Sequence, residues 1–220
     1  MRIALIHAVT VAMAPVHEAF TKLWPEAECT DLLDTALAVD RERDGELTAA
    51  MTRRIGVLAG YAAGTGAAGI LFTCSAFGEA IEAAAKASAL PILKPNEAMF
   101  DAALEAGQRI GMLATFLPSV AGMEEEFRAL AKARGSQATI ETVCIEDAMR
   151  ALKGGDGATH DRLLGEAAPR LAGCDAVVLA HFSTARAEAA VKPALNCPVL
   201  TAPGAAVTRL KSVLGHSPAA

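Results

Sequence analysis

Apolar positions along the chain fall into two kinds of run. Short ones, almost free of charge, cover 3–6, 70–73, 91–93, 110–114, 176–180 and 198–200. Such runs predict strands covered on both faces by helices. Between them, apolar residues recur at helical spacing over 44–61, 78–87, 121–134 and 160–171, which predicts amphipathic helices. Gly64, Gly69, Gly135 and Gly173 stand where those helices should stop, a place for a residue that tolerates positive φ. Strand and helix in alternation predict an α/β fold with parallel sheets and crossover helices.

The pattern also repeats. A shift of 107 positions takes Arg2-Ile3 onto Arg109-Ile110, and Glu18 and Phe20 onto Glu125 and Phe127. The same shift takes 69–73 onto 176–180, and Leu90-Pro91-Ile92-Leu93 onto Cys197-Pro198-Val199-Leu200. One offset kept across three strands predicts two pseudo-symmetric parallel-sheet halves. Their expected extents are 1–97 plus 208–220, and 98–207, facing each other about a pseudo-twofold axis with the site in the cleft between them. Ligands of parallel α/β sheets bind beyond the C-terminal ends of the strands. Attention therefore goes to 7–10 and 74–77 in the first half, and to 114–117 and 181–184 in the second. The offset sets Cys74 opposite His181.

Composition narrows the function. The chain has 220 residues, 53% hydrophobic and 20% charged, with a formal net charge of −5. That is enough for a real core and too apolar for a disordered chain. An acidic balance with 4% aromatics argues against a nucleic-acid partner, which wants basic patches and stacking rings. No apolar run approaches the roughly 20 residues of a membrane span, and the N-terminal run is too short for a signal peptide. The five cysteines include no CxxC pair, which favours reduced thiols and a cytoplasmic location.

Two motif readings fail. Gly64-Thr65-Gly66-Ala67-Ala68-Gly69 matches GxGxxG, but the dinucleotide fingerprint follows a strand and opens a helix. Here the order is reversed, and no nucleotide cofactor is expected. The histidines are dispersed without metal-site spacing, Asp31 and Asp34 read as solvated carboxylates, and His160 and His216 read as surface residues. No metal is expected. Cys74 is different, because it ends a strand and opens a helix in Thr73-Cys74-Ser75-Ala76-Phe77. A helix N-terminus is expected to lower its pKa. Cys29, Cys144, Cys174 and Cys197 are read as inert small core residues.

These features resemble the aspartate/glutamate racemase superfamily, which includes hydantoin racemases, maleate isomerases and arylmalonate decarboxylases. The resemblance runs from Arg2 to about Leu210. It is carried by the stretches 66–75, 109–115 and 175–181, above all by Thr73-Cys74-Ser75. It implies a cofactor-independent racemase or epimerase, an isomerase that moves a proton at the carbon alpha to a carboxylate or related carbonyl. The family's racemases place a cysteine at the strand end of each half, on opposite faces of that carbon. The first falls on Cys74; the second falls on His181, a departure that makes a Cys/His acid–base pair. The alternative is a decarboxylase or lyase of a small carboxylic acid using Cys74 alone, though that branch keeps its cysteine in the second half. A binding module without turnover is the non-enzyme rival. Strand-end residues matching the family's substrate loops are His7, Thr10, Ser75, Thr115, Ser119, Ser183 and Thr184. The partner expected is a small carboxylate, with further copies of the same chain left open.

Overall fold

A computed structural model of the chain describes residues 1–215. His216 and the end of the expected first half therefore lie outside the described residues. The chain divides into two compact units, Met1–Pro95 with the chain from Pro203 onward, and Asn96–Ala202.

The first unit holds strands β1 (Arg2–His7), β2 (Glu28–Leu33), β3 (Gly69–Phe72) and β4 (Ile92–Leu93). They pair all-parallel in the order β2-β1-β3-β4. Helices α1 (Met13–Leu23), α2 (Thr35–Asp44), α3 (Ala49–Gly64) and α4 (Gly78–Ala87) alternate with the strands. The second unit holds α5 (Glu97–Ala106), β5 (Arg109–Ala114), α6 (Val120–Ala133), β6 (Thr139–Cys144), α7 (Glu146–Lys153) and α8 (Gly157–Ala167). β7 (Ala176–Leu179), α9 (Glu188–Val191) and β8 (Val199–Thr201) complete its sheet, again all-parallel, in the order β6-β5-β7-β8. The last helix is α10 (Ala202–Gly215).

The central strands are hydrophobic throughout because both faces are covered. Ile3, Leu5, Ile70 and Leu71 in one sheet, and Met112, Leu113, Val177 and Leu179 in the other, are fully buried. The repeat reaches the register itself. Ile3 pairs with Gly69 and Ile110 with Ala176; Ile70 pairs with Ile92 and Val177 with Val199. Each pair differs from its mate by the same 107 positions.

Two strands escaped the sequence pattern. β2 and β6 are edge strands that mix exposed residues, Glu28, Asp31, Thr139 and Glu141 among them, with partly buried ones and the buried Val143. They offer no continuous apolar run, and they break the offset, standing 111 positions apart where the other strands keep 107. The helix expected over 44–61 is α3, starting at Ala49 under a Thr48 side-chain cap; Asp44 instead closes α2 at Gly45, where φ is +71°. The helix expected over 160–171 starts at Gly157, capped by Asp156. Gly135 takes the positive φ expected of a helix stop, but the turn after α3 is made by Gly66, and Gly69 lies inside β3.

Both sheets reverse their strand order between the two central strands, at β1/β3 and at β5/β7. In open parallel sheets that reversal marks where ligands bind, at the strands' C-terminal ends. The fold therefore points to His7 and Thr73-Cys74 in the first unit, and to Thr115 and His181 in the second.

Candidate active site

In the first unit β3 ends at Phe72, and Cys74 follows in extended conformation as the cap of the 3-10 segment Ser75–Phe77 that leads into α4. The thiol is half-buried. The Ala76 N–H and the Arg41 guanidinium both favour its thiolate, yet burial outweighs them and pushes Cys74 up to about 11. This corrects the expected acidic thiol: the short 3-10 segment offers one amide, and removal from water costs more than that amide and the cation return. At neutral pH Cys74 carries its proton. Cys29 and Cys144 are also raised to about 11, so acidity does not single Cys74 out. Its neighbours do. Arg41 reaches it from α2 while donating Nε to the Ala76 carbonyl at 3.3 Å, and is only 9% exposed.

His7 is buried at the end of β1, directly beside Thr73 at the end of β3. Its Nδ1 lies 2.8 Å from Thr73 Oγ1 and its Nε2 2.9 Å from Asp31 Oδ1. His17 of α1 approaches the same carboxylate at 2.9 Å. A carboxylate only accepts, so the neutral His7 ring carries its proton on Nε2, and its Nδ1 accepts a hydrogen bond from the Thr73 hydroxyl. Burial holds His7 below the usual imidazole range, against the pull of Asp31. Asp31 is exposed, as expected of a solvated carboxylate, and it also bridges two imidazoles. Asp34 caps α2 and pairs with Arg54 at 2.6 Å. Among the described residues no three His, Cys, Asp or Glu side chains are arranged to hold a metal.

In the second unit the residue after the β7 strand end is His181, with φ +75° and ψ +143°. It is the one non-glycine residue with positive φ among those described, in a region that an L side chain enters at a cost of roughly 1–3 kcal/mol. The turn is held by Thr184, whose hydroxyl donates to the Ala180 carbonyl and lies 2.8 Å from the His181 carbonyl. Burial, reinforced by repulsion from His160, brings His181 down to about 4. It is therefore neutral at pH 7. After β5, Thr115 is buried, and its hydroxyl has no hydrogen-bond partner among the described residues.

The other expected contacts sort differently. Ser119 and Thr184 bond backbone carbonyls and shape turns. Ser75 and Ser183 are buried in the two 3-10 segments that follow the strand ends, whereas Thr10 is exposed. His160, expected at the surface, is fully buried. It occupies the α8 face shared with Leu164 and Ala167, a spacing visible in the sequence. The other four cysteines are half-buried rather than core. Arg41 was hidden in the charged stretch 40–44, which reads as a solvated face; its place four residues after the buried Leu37 was the available signal. A cavity of about 220 Å³ bordered by Arg109, Thr139, Glu141 and Cys174 opens at the N-terminal strand ends, away from His181.

No protein-family model matches the sequence, and no curated protein matches it. Solved structures do match. A glutamate racemase from Bacillus anthracis superposes with a TM-score of 0.76 at 14% identity, over 98% of this chain and 82% of that one. The aspartate racemase of Picrophilus torridus gives 0.74 at 13% identity, over 97% and 94%. Allantoin racemase from Pseudomonas fluorescens gives 0.69 at 14% identity, over 100% and 94%. The chain has the fold of these racemases. The two-sheet α/β architecture expected from the repeat and the resemblance is the architecture found.

Proposed function

We propose that the chain is a cofactor-independent racemase or epimerase, moving a proton at the carbon alpha to a carboxylate or related carbonyl. The observation that carries this reading is the state of the two equivalent strand ends. At neutral pH Cys74 holds a proton and His181 lacks one. Inversion needs that complement: one group to take the α-proton and another to deliver a proton to the opposite face. His181 acts as base and Cys74 as acid in one direction, with the roles exchanged in the other.

Charge must be held while the α-carbon is deprotonated. Arg41, beside Cys74, suits a carboxylate or the enolate oxygen that develops from it. The unbonded Thr115 hydroxyl can donate a further hydrogen bond. A bound anion also favours an imidazolium, so substrate strengthens His181 as a base at the moment it is needed. The strained backbone at His181 supports a functional role, since the fold keeps a costly geometry there.

Solvent-exchange NMR in D2O tests this on both enantiomers of a panel of amino acids, hydantoins and hydroxy acids. The expected result is loss of the α-proton signal with decay of optical activity for at least one compound class. No exchange with any member, while a disubstituted malonate loses carbon dioxide, would replace the reading with the decarboxylase alternative.

A further inference from the structure

Helix α2 brings Arg41 to the Cys74 strand end, although its own apolar surface gives it little reason to lie there. Of its ten residues, Leu37 and Arg41 alone are buried. Burying one leucine favours the packed helix, but withdrawing a guanidinium from water opposes it. A helix this short does not hold itself together in water. What fixes α2 comes from α3, which is anchored by its own buried Met51, Ile55, Ala59 and Ala62. Arg54, the residue before Ile55, grips α2 at two points. Its Nη2 donates to Asp34 Oδ1 and Oδ2 at 2.7 and 2.6 Å, and its Nε to Asp34 Oδ2 at 3.2 Å. Its Nη1 donates to Asp40 Oδ2 at 2.6 Å. All three side chains are half-buried. Asp34 is also the cap of α2, accepting the Ala36 N–H at 3.1 Å. Asp40 directly precedes Arg41, so the second grip sets the rotation of α2 about its axis. One position on, about 100° round the helix, Arg41 is turned onto the Ala76 carbonyl at 3.3 Å.

We propose that Arg54 is a positioning residue for Arg41: its two-point grip on Asp34 and Asp40 holds α2 in the rotation that sets the Arg41 guanidinium against the Ser75–Phe77 segment beside Cys74. The consequence for substrate rests on reading Arg41 as the carboxylate anchor of the first unit. Without the grip, Asp34 and Asp40 lose the cation they share, and α2 has only Leu37 to set against the buried charge of Arg41. The helix then turns outward, and Arg41 leaves the Ala76 carbonyl. A carboxylate bound at Arg41 neutralises that charge and draws α2 back. Arg54 therefore acts before binding: it raises the share of free protein whose anchor is already in place, and its loss falls on affinity. Arg54→Lys substitutes one compact ammonium for the planar fork and holds one carboxylate at a time.

Side-chain NMR of the intact protein reads the grip without any substrate, with the Arg41 Nε–H signal assigned by its loss in Arg41→Gln. In Arg54→Gln that proton is expected to exchange with water about tenfold faster than in the native chain. The Arg186 Nε–H, bonded to Asp161 at 2.9 Å in the second unit, should exchange as before. Arg54→Lys should fall between the two, and it carries the test if Arg54→Gln does not fold. An Arg41 Nε–H as slow as native in both variants would overturn the proposal. With a compound that the native chain inverts, Arg54→Gln should raise KM about tenfold and change kcat by less than about twofold. Combined with Arg41→Gln, it should do no further harm, since it acts through that side chain. A further rise of about tenfold in the double variant would show Arg54 acting apart from Arg41 and overturn the proposal too. Should the Nε–H exchange accelerate while no panel compound loses its α-proton, the positioning stands and the racemase reading fails. With α-proton loss present and Arg41 as slow as native, the reverse holds.

Discussion

Cys74 differs from Cys29 in its company, not its acidity. Both thiols are raised to about 11 by burial, but only Cys74 has a cation and a backbone N–H working the other way. Arg41→Gln should raise the Cys74 pKa further, read as slower alkylation of that thiol at pH 9, whereas Cys29 should label unchanged. Cys74→Ser should abolish inversion with little change in melting temperature; retained inversion would remove Cys74 from the chemistry. The histidines give a stability signature. His7, His160 and His181 are all held below the usual imidazole range by burial. Below about pH 6.5 the unfolded chain therefore binds more protons than the folded one. Their stabilisation is full above that pH and is lost as pH falls toward about 4. Melting temperature measured between pH 7 and pH 4 should fall, and should fall less steeply in His181→Gln.

At the scale of elements, the turn after β7 carries the most consequence per residue. Thr184→Val removes the hydroxyl that holds the positive-φ turn, at an expected cost of about 1–2 kcal/mol in denaturant unfolding. It should also lower the exchange rate, because His181 loses its fixed direction. Gly157→Ala brings a Cβ against the far end of the exposed Arg186 side chain, which can swing aside, and should change denaturant stability by less than about 1 kcal/mol. The central strands were legible because burial on both faces leaves an uninterrupted apolar run, as at 176–179. β2 and β6 were not, because an edge strand with one wet face mixes Glu28 and Asp31 with Leu32 and reads as loop. Cys74 and His181 were legible through the repeat, which depends only on the order of residues. Arg41 and Asp161 were not, since charged residues in charged surroundings look solvated until a neighbouring element covers them, and Asp31 stays exposed with its histidine partners distant in the sequence. His160 stood on the apolar face of its helix, but its polar, glycine-flanked surroundings argued for the surface.

At the scale of the whole molecule, two units with the same strand order and register carry unlike residues at matching strand ends. A duplicated α/β unit supplies two strand-end loops, and each loop sets its own group by its own means. In the first unit the thiol keeps its proton under burial, and in the second the imidazole loses its proton in a strained, buried turn. For the direction in which His181 takes the proton, the rate should hold from about pH 5 to 9. It should fall as pH drops through about 4 and as it rises through about 11. The most direct measurement is α-proton exchange of each separate enantiomer in D2O by Cys74→Ser and His181→Gln, using a substrate that the native chain inverts. If the two groups serve opposite faces, each variant washes deuterium into one enantiomer only, the two variants choose opposite enantiomers, and neither inverts. Exchange of both enantiomers lost together in either variant, or inversion surviving in one of them, would contradict the two-group account.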